Sequence, residues 1–153
     1  MKNQLIKRRQ RIYNLISNYK KYFNQEPNIE VVVYSKTDLM ITKYCVINKC
    51  LNKQNVNCGE CHKNNYYLED RKGYKIPILR DYYCNTRLLN PRALMLLDYV
   101  EELKQMGVNC VRIEFNDESE EECRNILDAY YGREVQLDSR KFTYGHFKEK
   151  DEE

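Results

Sequence analysis

The sequence predicts an α/β fold, on three observations that follow one another along the chain. A helix-spaced apolar series at Leu94, Leu97, Val100 and Leu103 ends at Gly107. An alternating strand pattern over residues 108–115 comes directly after it, and a capped helical pattern begins at Ser119. Helix, strand, helix is the grammar of layered α/β domains. The chain has 153 residues, 18.6 kDa and 42% hydrophobic content, enough for one modest core and too little for a multidomain machine.

The elements can be justified in order. Leu5, Ile12, Ile16, Tyr19 and Phe23 recur at helical steps with basic residues between them, which predicts an amphipathic helix over residues 1–25, stopped before Pro27. The β-branched run 29–34 predicts a buried strand, and residues 38–46 a second one that leaves Cys45 at a strand end. Over residues 49–65 Asn, Lys, Cys and Gly replace apolar periodicity, the composition of an irregular loop held by a bound metal rather than by a core. Residues 66–68 and 75–79 flank the turn-prone 70–73 and predict a hairpin. Asn90 and Pro91 predict an N-cap and first helical position for the series that closes at Gly107. On the following strand Val111, Ile113 and Phe115 share one side, Arg112 and Glu114 the other. Ser119 with Glu122 forms a capping-box signature for a helix through Ile126, Leu127 and Tyr130, closed by Gly132. Residues 142–147 predict a last extended piece before a charged tail, 148–153.

Composition narrows the function classes. Aromatics at 12%, mostly the fourteen tyrosines, are too many for a disordered chain. No apolar run approaches the roughly 18 to 20 residues of a membrane helix, and the basic start leads into no signal-peptide core, so a cytoplasmic protein with no membrane partner is expected. The net charge of +3 is unevenly spread: residues 1–25 hold seven Lys or Arg and no acid, whereas 117–122 are nearly all acid. A basic start can meet phosphates or be an ordinary solvated helix face. No G-x-S-x-G, H-E-x-x-H, Walker or dinucleotide-binding glycine pattern is present.

Seven cysteines beside five glycines are the unusual feature. In a reducing compartment they are expected to be buried, catalytic or metal-bound rather than paired. Cys58 and Cys61 form a C-x-x-C, the tightest spacing at which two thiolates reach one metal, and Cys45 and Cys84 flank it. Cys50 and His62 are spare candidates. Four sulfurs suit a structural zinc or an iron–sulfur cluster, with reduced thiols and no metal as the third possibility. Cys110 and Cys123 fall within regular elements and read as packing residues. A thioredoxin-like role is poorly supported, because that motif opens a helix and this one sits in loop. So is a nucleophilic Cys–His site: His62 adjoins Cys61, and His146 is distant.

Several stretches resemble the collagenase-like peptidases, peptidase family U32, in that family's order. Its signature runs Glu, one residue, Phe, two residues, Gly, small, aliphatic, Cys, four residues, Gly, one residue, Cys, one residue, aliphatic, Ser. Here Glu30, Cys45 and Ile47 fit it, Val32 is a soft substitute, and Ser35, Asp38, Lys43 and Asn48 depart from it. The aliphatic stretch before Lys43, Tyr44 and Cys45 is similar to a Firmicutes branch of the family. Residues 67–74 resemble its Tyr-x-Leu-x-Asp-Arg-x-Gly segment, 76–78 its apolar-proline step, and 97–108 with 112–114 its helix and Lys-Ile-Glu strand. Residues 142–145 resemble its Phe-Thr-x-Gly.

The resemblance covers residues 26–147 and implies a partial TIM-like (β/α) barrel, its C-terminal portion, with a cysteine-rich metal-binding insert over 45–84. A closed barrel takes about 200 residues or more, so it implies a truncated relative, half of a split protein or a fragment, partnered by a missing N-terminal barrel half or another chain. Relatives hydroxylate pyrimidines in transfer or ribosomal RNA, or hydroxylate ubiquinone precursors, and some hold a four-iron four-sulfur cluster on four cysteines. Carried over, this implies Cys45, Cys58, Cys61 and Cys84 as ligands, with zinc as the alternative metal. Glu30 and Glu114 become candidate catalytic groups, Arg71, Arg87 and Arg112 substrate-binding ones, and tRNA or rRNA the partner. The bland counterpart is a solvent-facing Glu114 and ordinary surface arginines. A collagenase-like peptidase or peptide-binding protein, and a non-catalytic zinc-stabilised remnant, are the competing expectations.

Overall fold

The structure is a computed structural model that describes residues 6–51, 59–81, 83–145 and 147. It divides into two compact units, one formed by Met1–Ser35 with Leu94–Glu153 and the other by Lys36–Ala93.

The first unit is built on strand β1 (Glu30–Ser35), which the β-branched run Val31 to Val33 favours. Helix α1 (Ile6–Phe23) precedes it, and β2 (Asp38–Thr42), next in the chain, belongs to the second unit. Numbering onward, the second unit adds α2 (Val46–Cys50), β3 (Tyr66–Glu69), β4 (Lys75–Arg80) and β5 (Thr86–Leu89). The chain then returns through β6 (Ala93–Met95), α3 (Val100–Gln105), β7 (Cys110–Ile113), α4 (Glu120–Tyr130) and β8 (Phe142–Thr143).

In the first unit the sheet order is β7-β1-β6-β8. β1 and β7 are parallel, with Glu30 opposite Cys110, Val31 opposite Val111 and Val32 opposite Arg112, before a bulge brings Tyr34 opposite Ile113. β6 pairs antiparallel on the other side of β1, Tyr34 to Met95 and Ser35 to Leu94. The strand period of two turns Val33 into a core of Leu96, Val100, Leu103 and Val108, and Val31, Val111 and Ile113 pack against it. Ile12 of α1 and Tyr130 of α4 close the same core. Gly107 follows α3 at φ +100, a conformation that L side chains rarely adopt, so glycine makes the turn that ends the helix. α4 starts with the expected reciprocal cap: Ser119 accepts from the Glu122 backbone, and Glu122 accepts from the Ser119 backbone N–H. The Ser119 backbone N–H first, and Lys141 after it, hold the Glu122 carboxyl below its usual range.

The second unit is an antiparallel sheet in the order β2-β5-β4-β3. Its β3–β4 hairpin is the expected one, and Asp70 Oδ1 fixes the turn by accepting from the Lys72 and Tyr74 backbone N–H groups at 2.8 and 2.9 Å.

Three expectations need correction. Residues 93–95 are strand, not helix: Ala93 and Met95 are buried, β6 pairs with β1, and α3 begins only at Val100 after a 3-10 turn at Leu97–Tyr99. Asn90 instead accepts from the Arg92 backbone N–H, a local turn. Cys45 does not end a strand, since β2 stops at Thr42 and Cys45 is the N-cap of α2. The last extended piece is reduced to β8. The α/β class is found, as two four-stranded sheets with helices; among the described residues the strands form no closed barrel. The tail 148–153 and residues 52–58 of the cysteine loop lie outside the described residues.

Leu103 has no exposed surface, so Leu103→Ala is expected to destabilise the fold by about 2–5 kcal/mol. Ser119→Ala should cost about 1 kcal/mol. Urea unfolding with an unchanged m-value checks both.

Candidate functional site

The register that buries Val33 also lays a polar row on the opposite face of the β1–β7 pair. Glu30 opens β1, Arg112 lies on β7 and Glu114 follows its last residue. Arg112 Nη2 lies 2.5 Å from Glu30 Oε1, and Nη1 donates to Glu114 Oε1 at 3.2 Å. The hydroxyl of Ser35, itself buried, donates to Glu114 Oε2 at 3.1 Å. Both oxygens of Glu114 are therefore oriented, one by a cation and one by a hydroxyl. Hydrogen bonds to Glu114 first and to Glu30 second push the Arg112 guanidinium above its ordinary value. An anion that took Arg112 as its partner would have to compete with two carboxylates. Cys110 is exposed beside this row, its thiol 3.8 Å from Glu30 Oε2, which corrects the expectation of a packing residue. Cys123 is half-exposed on α4, where desolvation first, then Glu118 and Glu122, pushes its thiol up.

Two neighbours of this row escaped the sequence reading as site residues. Tyr34 is buried and donates its hydroxyl to Glu118 Oε1 at 3.1 Å. Glu118 Oε2 accepts from the Asn116 backbone N–H, at 2.5 Å, and from that of Asp117. Burial first, and the Glu118 carboxylate second, push the Tyr34 phenol far above its ordinary value. Phe115 and Phe142 flank its ring, with centroids 5.6 and 6.4 Å away. The signal available for Ser35 was its place where the resembled signature has glycine; for Tyr34 it was a phenol inside an aliphatic strand.

In the second unit the cysteine-bearing segments gather without closing a coordination sphere. Cys45 Sγ accepts from the Asn48 backbone N–H at 3.4 Å, and α2 packs against the turn Glu60–His62 that carries Cys61. Arg80 Nη1 donates to Cys84 Sγ at 3.2 Å, while its Nη2 stands 3.5 Å from His62 Nδ1. Cys84 adopts φ +62, a left-handed conformation unusual for a side-chain-bearing residue. Asp81 holds that turn by accepting from the Tyr83 and Asn85 backbone N–H groups and from the Asn85 side chain. Cys58 lies outside the described residues. Among the described residues no three of His, Cys, Asp or Glu stand close enough to share a metal ion. Cys45, Cys61 and Cys84 are each half-buried in this unit, and Cys50 is exposed at the end of α2.

The three arginines are divided between the two units. Arg87 on β5 pairs with Asp38 of β2 through two bonds of 2.9 and 3.1 Å, a cross-strand tie within the second unit. Arg71 is exposed in the β3–β4 turn, and Arg112 belongs to the first unit. No described helix is long and apolar enough to cross a membrane.

A family model described as Peptidase family U32 matches residues 12–151. Neither the curated proteins nor the solved structures contain a significant match to the chain.

The Tyr34 phenol provides a pH test. Its raised folded-state pKa contributes stability that is complete below the ordinary tyrosine value, about 10, and is lost as pH rises past it. Tyr34→Phe should therefore flatten the alkaline fall of the melting temperature, measured against the parent chain across that range.

Proposed function

From the chain's membership of Peptidase family U32, we propose that it is a module of a larger TIM-like assembly acting in hydroxylation of RNA pyrimidines, with an iron–sulfur cluster held by Cys45, Cys58, Cys61 and Cys84. The observation that carries this proposal is the gathering of thiol-bearing segments in the second unit: α2 against the Cys61 turn, and Cys84 linked through Arg80 to His62. N–H donors on the Cys45 and Cys84 sulfurs are the kind of outer contact that orients and tunes thiolate ligands. Metal binding and local folding are coupled, so ligation would draw these segments together. When bound, the cluster would supply electron transfer.

The remaining roles belong to the first unit. Arg112 would offer charge to an anionic RNA, and Glu30 and Glu114 would position polar groups of the substrate along the β1–β7 face. Parallel β1 and β7 would be continued into a barrel by another segment or chain. Zinc on the same thiols is the competing occupant.

Anaerobic purification of the full chain, followed by an absorption spectrum and iron and sulfide assay, distinguishes the two. The proposal expects a brown protein with iron and sulfide in equal amounts; a colourless protein with one zinc per chain would sink it. Cys84→Ala should abolish the cluster, and Cys110→Ala should leave it intact. Nucleosides from cells with and without the gene test the reaction: loss of a hydroxylated pyrimidine is expected, and an unchanged set would exclude it.

A further inference from the structure

We infer that a single strand of RNA docks on the thiol-bearing end of the second unit's sheet, its bases stacked on Tyr44 and Tyr83; this rests on the RNA reading proposed above and locates a binding surface for it. Register defines that end. Thr42, Thr86 and Arg80 lie side by side across β2, β5 and β4, and Tyr66, the first residue of β3, pairs with Ile78 of β4. The segments that leave this end are therefore residues 43–45 after β2, the turn 81–85 between β4 and β5, and the turn Glu60–His62 ahead of β3. Each carries one of Cys45, Cys84 and Cys61. Two of them also present a tyrosine to solvent, Tyr44 at 55% and Tyr83 at 81% exposure. Both are set by the same device: the backbone N–H of Tyr44 donates to Thr42 Oγ1 at 3.1 Å, and that of Tyr83 to Asp81 Oδ1 at 2.9 Å. A ring held out from a polar loop is a platform on which an unstacked base can lie.

Charge selects the same unit. Between Lys36 and Ala93 there are eleven Lys or Arg and five Asp or Glu, a net of +6, whereas the rest of the chain has fifteen and eighteen, a net of −3. Four of the five acids are engaged within the unit: Asp38 holds Arg87, Asp70 and Asp81 accept backbone N–H groups in their turns, and Glu60 lies 3.4 Å from Lys63. The fifth, Glu69, ends β3 beside the hairpin tip, at the opposite end of the sheet. At the thiol-bearing end Lys43 and Lys49 are exposed and make no ion pair among the described residues. Arg80 bonds to the Cys84 sulfur and approaches the His62 ring rather than a carboxylate, so its charge is not cancelled there. Cations interleaved with exposed rings match a strand that offers phosphates and unstacked bases in turn. An acidic peptide would meet the charge but brings no base to the two tyrosines, and duplex RNA keeps its bases stacked on one another.

Fluorescence anisotropy of a labelled oligouridylate with the full chain tests this. Phosphate contacts from Lys43, Lys49 and Arg80 should make the affinity fall about 20-fold between about 50 and 200 mM salt. Lys43→Glu with Lys49→Glu should weaken binding about tenfold or more and flatten that response. Lys72→Glu with Lys75→Glu makes the same change in charge at the hairpin tip and should alter binding by about twofold or less. The six residues of β4, at about 3.4 Å each, put that tip about 20 Å away, roughly two Debye lengths. Tyr44→Ala and Tyr83→Ala should each weaken binding about fivefold or more, and Tyr44→Phe, which keeps the ring, should not. Circular dichroism checks that each variant is folded; for one that is not, the parent chain's salt response and its preference for single over double strand decide. Duplex RNA bound as tightly as the single strand, polyglutamate bound as tightly as RNA, an unaltered affinity in both alanine variants, or no binding at all overturns the inference. An iron-containing chain that binds no RNA would remove this surface and leave the cluster, whereas RNA binding with an unchanged set of nucleosides in cells would leave the surface and remove the reaction.

Discussion

The register of strand β1 is the constraint on which the first unit depends. Both its edges are occupied, by parallel β7 and antiparallel β6, so it cannot slide without breaking two ladders. One step of slippage would exchange its faces, exposing Val33 and burying Glu30. The same register that fills the core therefore aligns Glu30 and Arg112 on the outside. Past the bulge the strand end delivers Ser35 to Glu114 and Tyr34 to Glu118. These contacts lie at one edge of a well-packed sheet, where the core holds the side chains in place.

Where local chemistry decides, the sequence was legible. The Ser119–Glu122 cap, the Asp70 turn, the Gly107 stop and the end of α1 before Pro27 each depend on residues close together in the chain, and each is found. Residues 93–95 were misread because Leu94, Leu97, Val100 and Leu103 do have helical spacing, but a vacant edge of β1 claims Ala93–Met95 as a strand. Tertiary pairing overrides spacing there. The antiparallel return of the chain after the second unit is likewise a long-range event that no short pattern encodes.

The candidate site was legible in part. Glu30, Arg112 and Glu114 are in one row, as strand alternation on a parallel pair allows, while Arg71 and Arg87 belong to the second unit, Arg87 tied to Asp38. Arg87 could not be assigned from type alone, because its partner lies on a neighbouring strand. The thiols show the same limit. Spacing groups Cys45, Cys61 and Cys84, and the fold brings their segments into one unit, where the Cys45 and Cys84 sulfurs accept from separate donors and, among the described residues, no three ligand-type side chains stand close enough to share an ion. Cys110 faces outward because it is opposite Glu30, a matter of register that composition cannot express.

Helices α1 and α4 close the β1 core with Ile12 and Tyr130. Everything in the first unit nevertheless returns to the β1–β7 register, and cross-linking reads that register directly. Glu30→Cys should form a disulfide with Cys110 on mild oxidation, identified as a cross-linked peptide by mass spectrometry, whereas Val31→Cys should not. A cross-link from Val31→Cys and none from Glu30→Cys would mean a strand displaced by one residue, and would contradict the placement of the core and the polar row together.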